Sequence, residues 1–164
     1  MELAAFNQLD ASEAQAAIRH CVAIPHWQQS LVAARPFASR EALMTVADTL
    51  ARQWQQPELQ AALTAHPRIG ERAEGADKEA ALSRGEQSAM QQADHTLQQA
   101  MQQGNQAYEA RFGRVFLIRA KGRSGEEMLA ALQRRLQNSE ADEQQETLDQ
   151  LREITLLRLK ETIR

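Results

Sequence analysis

SREALMTVADTLARQW, residues 39–54, reads as a helix, and its pattern sets the fold class for the chain. Ser39 is a residue type whose hydroxyl accepts a backbone N–H at a helix start. Leu43, Val46, Ala47, Leu50 and Trp54 then recur at the spacing of one buried face. The same punctuation extends upstream. Asp10 stands three residues before Glu13, a capping-box-like start, and Ala14, Ala17, Ile18, Cys21 and Val22 form a stripe that ends near Ala23. Trp27, Leu31 and Val32 mark a short second helix that closes at RPF, because Pro36 disfavours helical geometry at Arg35.

Downstream, Pro57 suits the first turn of PELQAALTAH, which stops at His66 because Pro67 follows it. A polar loop from Pro67 to about Leu82 contains Gly70 and Gly75. Ser83 and Glu86 form a capping-box pattern that opens a long helix, with Met90, Leu97 and Met101 inward. Gly104 is a point of interruption before Ala107, Tyr108 and Phe112 resume it. RVFLI, residues 114–118, is too short for periodicity to separate helix from strand, and an extended segment beneath the surface fits it. Ser124, three residues before Glu127, opens a helix through Leu136. Asn138 and Ser139 break the chain before a last helix from about Ala141 to Ile163. There Leu148, Leu151, Ile154 and Thr155 set a stripe whose continuation lands on Arg158, so a guanidinium is aimed near the core.

Composition agrees with helix throughout. The 164 residues are 43% hydrophobic and 25% charged, with seven Gly, four Pro, few β-branched runs and many Ala, Leu and Gln. The expectation is an all-α, single-domain helical bundle over residues 1–164, of about seven to nine helices. A net charge of −3 and a pI near 5.8, with both signs interspersed, give no electrostatic footprint for nucleic acid. No apolar run approaches the about 18 residues of a membrane span, and MELAAFNQLD lacks a basic segment followed by an apolar one. The single Cys21 sits in an apolar helical stripe, as a small buried hydrophobe does, and cannot form an internal disulfide. These features point to a cytoplasmic protein with no nucleic-acid or membrane partner.

Three residues carry candidate chemistry, and each also has a structural reading. His66 in a last helical turn interacts favourably with the helix dipole whether or not it moves protons. Glu86 satisfies a backbone N–H as a capping-box acid. Arg158 can pack its stem and pair its head at the surface, yet a permanent charge on an apolar stripe calls for an anion or carboxylate to offset desolvation. His20, His26 and His95 share no ligand spacing with one another or with Cys21, so no metal site is expected. No phosphate-cradling glycine loop or nucleophile elbow is present.

AHPRIG (65–70), LSRGEQ (82–87), NQAYEARFGRVFLIRAKGRS (105–124), LQRRLQN (132–138) and REITLLRL (152–159), in this order, resemble the OHCU decarboxylase family. FNQLD (6–10), Trp27 and RPF (35–37) fit it too, so the resemblance spans nearly the whole chain. It implies an all-α bundle, usually a homodimer, that works without a cofactor in urate breakdown. The reaction converts 2-oxo-4-hydroxy-4-carboxy-5-ureidoimidazoline to (S)-allantoin and carbon dioxide. The family's catalytic histidine matches His66, the glutamate of its Ser-x-x-Glu-Gln box matches Glu86, and its carboxy-terminal helix arginine matches Arg158. Pro67, Gln87 and the chain at Ile118, Arg119, Ala120, Lys121 and Gly122 match further substrate contacts. The helix start at Ser83, Arg84 and Gly85 offers backbone N–H groups to the polar ring.

In this reading His66 is the general acid and base, Glu86 orients the imidazole and favours its charged form, and Arg158 holds a carbonyl with paired N–H donors. A reading of a different class is a non-catalytic helical interaction module. Leu156, Leu157 and Leu159 lie off the Leu148 to Arg158 stripe and make the last helix apolar on more than one side.

Overall fold

The computed structural model describes residues 1–64, 66, 68, 85–91 and 93–164. Among these are nine α-helices, one 3-10 turn and no strand, so the all-α expectation is met. In chain order the helices are α1 (Leu3–Gln8), α2 (Ala11–Ile18), α3 (Pro25–Ala33), α4 (Arg40–Ala51), α5 (Gln56–Leu63), α6 (Ser88–Gln91), α7 (His95–Phe112), α8 (Gly125–Arg135) and α9 (Glu140–Thr162). None of the described helices is long and apolar enough to cross a membrane. The chain divides into two compact units, one of Met1–Ala62 with Arg152–Arg164, the other of Leu63–Leu151.

The first unit follows its caps. The Asp10 carboxylate accepts the Glu13 N–H at 2.8 Å, and the Ser39 hydroxyl accepts the Ala42 N–H at 3.1 Å. Helix α3 packs against α2 and α4. Trp27 and Trp54 meet edge to face at 6.2 Å, and the buried Trp27 indole donates to the Ala47 carbonyl at 3.1 Å, so its one polar atom is satisfied. Two details differ from the sequence pattern. Helix α1 carries a single buried anchor, Phe6, and is too short to show a period. Helix α2 stops at Ile18 and continues as a 3-10 turn, Arg19–Cys21, and the Gln28 side chain takes up carbonyls that this helix end leaves without an intrahelical partner. Gln28 donates to Val22 O at 2.8 Å and more weakly to Arg19 O at 3.5 Å. At the other end of the unit Arg40 donates to the carbonyls of Ile163 and Lys160, which lie past the last hydrogen bonds of α9.

The second unit departs from the sequence reading at its longest helix. The helix expected to run from Ser83 through Phe112 is not continuous: Gly85 and Glu86 are helical, Gln87 is a turn, and α6 and α7 are separate elements because Asp94 starts a new helix by accepting the Leu97 N–H at 2.8 Å. Ser83 itself lies outside the described residues. Gly104 does not interrupt α7. A Cβ there would fall 2.4 Å from Leu132 Cδ2, so the glycine is the point where α7 and α8 come close. Gly113, at φ +70°, then ends α7 in the left-handed form. Of residues 114–118, for which an extended segment is expected, Arg114 lies in a bend and 115–118 are neither helix nor strand, and Phe116, Leu117 and Ile118 are buried with Met90, Met101, Tyr108, Met128 and Leu132 also buried. Ser124 and Glu127 make the reciprocal capping box at the start of α8, each bond 3.1 Å long.

Beneath this unit lies a charged cluster that periodicity does not reveal. Arg135 is 1% exposed and Glu143 is wholly buried. The guanidinium donates to Glu143 Oε2 at 2.6 Å, to Leu117 O at 2.8 Å and to Thr147 Oγ1 at 3.2 Å, and it lies 4.5 Å over the Phe116 ring. Tyr108 donates to Glu143 Oε2 at 2.5 Å, and Asn138 donates to Oε1 at 3.1 Å. Burial, helped by the acidic partner, pushes the Tyr108 hydroxyl up to about 12. Burial would raise the Glu143 carboxyl, but hydrogen bonds from Arg135 and Tyr108 outweigh it and hold the group below its ordinary value of 4.5. Removing one partner leaves the other charge buried. We predict that Arg135→Met destabilises the protein by about 3–5 kcal/mol in urea denaturation, and that adding Glu143→Leu recovers much of the loss.

The carboxylates give a pH dependence with a defined sign. Glu143, Glu146 beside Arg134, and Glu127 in the α8 cap all sit below their ordinary values when folded. The unfolded chain therefore takes up protons first as the pH falls, so this stability is fully present above the ordinary carboxyl value of 4.5 and is lost below it. Thermal midpoints measured from neutral pH downward are expected to hold until about pH 5 and then decline, with Glu143→Gln flattening the fall.

Candidate functional site

Helix α5 ends at Leu63, and the His66 N–H closes a turn on the Leu63 carbonyl at 3.2 Å. His66 thus sits just beyond a helix carboxyl end, half-buried, where Pro67 prevents the helix from continuing. Two residues on, Arg68 Nε meets Glu109 Oε1 of α7 at 2.7 Å, an exposed ion pair that ties this turn to the long helix. Gly85, exposed, and Glu86, half-buried, are helical, and Gln87, 4% exposed, is the turn residue before α6. Pro67, Ser83 and Arg84 lie outside the described residues.

The chain between α7 and α8 supplies the next group of expected site residues. Ile118 and Ala120 are buried, Arg119 is half-buried, and Lys121 and Gly122 are exposed. The Arg119 N–H donates to Gln150 Oε1 of α9 at 2.9 Å, and the Arg119 carbonyl accepts from Arg123 Nε at 2.8 Å. The Arg123 N–H closes a turn on Ala120 O at 3.1 Å, and Gly122 within that turn has φ +83°. His66, Gly85 to Gln87 and Ile118 to Gly122 all belong to the second unit.

Arg158 belongs to the first unit, in the carboxy-terminal half of α9. It is 1% exposed, so the sequence expectation of a guanidinium at the core is met. Its Nη1 donates to the His20 carbonyl at 3.3 Å. The Thr162 hydroxyl donates to the Arg158 carbonyl at 2.7 Å, and His20 Nε2 lies 2.7 Å from the same hydroxyl oxygen. The backbone and the head of Arg158 are therefore both held from the His20 and Thr162 positions.

Arg135, Glu143, Gln150 and Arg123 were not among the residues the sequence singled out. Arg135 and Glu143 lie eight residues apart across the helix break at Asn138 and Ser139, a separation that no single helical period signals. Gln150 looks like any polar position on a helix flank until the chain at Arg119 is set beside it.

A family model described as OHCU decarboxylase matches residues 7–160. The chain belongs to the OHCU decarboxylase family. As a member of that family it is an enzyme, a carboxy-lyase. It is 30% identical over 128 residues to a 2-oxo-4-hydroxy-4-carboxy-5-ureidoimidazoline decarboxylase of Haloferax volcanii, covering 77% of this chain and 74% of the relative. A crystal structure of an OHCU decarboxylase in the presence of (S)-allantoin is 26% identical with a TM-score of 0.72, covering 87% of this chain and 94% of that one. A crystal structure of an (S)-allantoin synthase shares the fold at 16% identity and a TM-score of 0.74, and this chain spans 54% of its length.

The turn at Gly122 offers a direct check on this loop. A Cβ at φ +83° would meet only Arg119 Nη1, at an ordinary 3.9 Å, so backbone strain rather than crowding sets the cost. Gly122→Ala is expected to lower stability by about 1–2 kcal/mol, read from urea unfolding midpoints.

Proposed function

We propose that this carboxy-lyase removes carbon dioxide from 2-oxo-4-hydroxy-4-carboxy-5-ureidoimidazoline and releases (S)-allantoin, as a step of urate breakdown. The observation that carries the reading is the family match over residues 7–160, a stretch that includes His66, Glu86 and Arg158. The name of the Haloferax volcanii relative and the allantoin present with the solved decarboxylase support the same substrate and product. Residues 1–164 act as one catalytic domain, and two copies associate as a homodimer. The half-buried Leu156 and Leu157 of α9 are apolar surface suited to such a contact. The buried Cys21 thiol, in no disulfide, suits a reducing, cytoplasmic setting.

The chemistry asks for little beyond placement. The substrate's carboxylate is attached to a carbon next to a C=N bond. As the bond to carbon dioxide breaks, its electron pair forms a double bond to the neighbouring carbon, and the C=N nitrogen takes up electrons and a proton. The hydroxyl then gives up its proton to become a carbonyl, and the neighbouring carbon receives one proton on one face. No borrowed electron sink is needed. His66 is the group that moves protons at neutral pH, acting at the substrate's hydroxyl and carboxyl. Glu86 orients the imidazole, and Arg158 fixes a ring or ureido carbonyl through paired donors. Gln87, Pro67, the Ser83 to Gly85 helix start and the chain from Ile118 to Gly122 contact the polar ring.

The test generates the unstable substrate in situ and follows optical rotation, since spontaneous decay gives a racemate and catalysis gives one hand. Wild-type protein is expected to give (S)-allantoin. His66→Asn is expected to remain folded and to lose at least about 100-fold in rate, the contribution of one positioned proton transfer. Racemic product at the blank rate with wild-type protein would remove this assignment. Charge introduced at Leu157 would then test the interaction-module alternative.

A further inference from the structure

Two of the strings that resemble the family, AHPRIG and NQAYEARFGRVFLIRAKGRS, contain charged residues with no task in the proposed chemistry, among them Arg68 and Glu109. The structure joins these two. Arg68 Nε donates to Glu109 Oε1 at 2.7 Å, and among the described residues Arg68 is the one cation paired with that carboxylate. Arg68 is exposed and Glu109 half-buried, so the plain reading is a surface ion pair of little consequence for stability. What each partner is attached to argues for more.

Glu109 stands on a firmly held part of α7. Its neighbour Tyr108 is wholly buried, donates to Glu143 at 2.5 Å, and packs against Phe112 and Phe116 with ring centroids 4.8 and 5.2 Å away. The Glu109 carbonyl accepts the Gly113 N–H at 2.8 Å, which closes the last turn of the helix. Arg68 is two residues from His66, with a proline between them. Proline fixes its own φ and restricts the residue before it, so few free main-chain torsions separate His66 from Arg68. A hold on Arg68 is therefore a hold on His66, whose own N–H closes the turn on the Leu63 carbonyl. His66, Arg68, Glu109 and Tyr108 all belong to the second unit.

We propose that Glu109 is a positioning residue: by pairing with Arg68 it fixes the turn that carries His66, and so sets the imidazole for proton transfer. The inference rests on the proposed role of His66. A misplaced proton carrier weakens the transition state more than it weakens substrate binding, so the effect belongs in kcat.

Glu109→Gln keeps the size of the side chain and removes its charge. It is expected to lower kcat about fivefold, the upper worth of an exposed ion pair, with KM changed less than about twofold. The His66 amide should also exchange faster with solvent. Arg68→Glu combined with Glu109→Arg reverses the pair, and it is expected to recover most of the kcat that either reversal alone loses. Raising the salt to about 1 M, where screening acts within about 3 Å, should bring the wild-type kcat toward that of Glu109→Gln and leave the variant unchanged. If Glu109→Gln fails to fold, Arg68→Gln makes the same comparison from the exposed side. A kcat in Glu109→Gln equal to that of the wild type overturns the inference, and it does so even with a lowered thermal midpoint, which leaves the pair a structural role. A double reversal no better than Glu109→Arg, or an equal salt response of wild type and Glu109→Gln, overturns it too. Wild-type protein that yields only racemate removes the proposed function and this inference with it, whereas an active wild type with His66→Asn inactive and Glu109→Gln unaltered removes this inference alone.

Discussion

The second unit is organised around one buried charge. Arg135 cannot give up its proton and has no access to water, so every part of its fork must find an acceptor inside the protein. It finds a carboxylate on α9, a hydroxyl one turn further on, and a main-chain carbonyl in the segment before α8. The fork is planar and rigid, so meeting these partners fixes three stretches of chain relative to one another rather than two. Tyr108 brings α7 into the same set by donating to the same carboxylate. Such a cluster is poor value as raw stability, since well-packed apolar residues could do as much. What it offers is a single arrangement, because a shift of any member strands a charge.

That arrangement also holds the non-helical stretch between α7 and α8, since Leu117 O accepts from Arg135 and the Arg119 N–H donates to Gln150. Gly104 serves the same end from a different direction, since its lack of a side chain lets Leu132 of α8 lie against α7 and so sets the span this segment must cross. The left-handed Gly122 then turns the chain into the capped start of α8.

Much of this was legible in the sequence, for reasons that lie in short range. Asp10, Ser39 and Ser124 announce helix starts because a cap acts within three residues, and the stripes through Leu43 and Leu151 announce buried faces because helical period acts within a turn or two. Arg158 could be placed in the core by counting turns from Leu151. The failures follow from the same logic. Gly104 looked like a break because a glycine is weak in a helix when judged alone, and its reason for being there is a leucine 28 residues away. Asp94 was passed over because it lacks the acidic partner that completes a capping box, although the carboxylate caps on its own. Arg135, Glu143 and Gln150 were invisible because their roles are defined by residues on other elements.

The residues named from the family motifs and those found in the structure divide along a chemical line. Side chains that would transfer a proton or clasp a carbonyl sit in short, distinctive strings such as AHPRIG and LSRGEQ, because their chemistry restricts residue type. Side chains that hold backbone in place need only a donor or an acceptor at the right distance, and an arginine or a glutamine on a long helix meets that need without a motif. In the proposed reaction the substrate supplies its own electron sink, and the protein's remaining task is geometry: the carboxylate aligned to leave, the ring fixed, one face open to a proton. A shift of about an ångström is enough to spoil such alignment. The less an active site contributes by way of reactive groups, the larger the share of its work that falls to residues that never touch the reacting atoms.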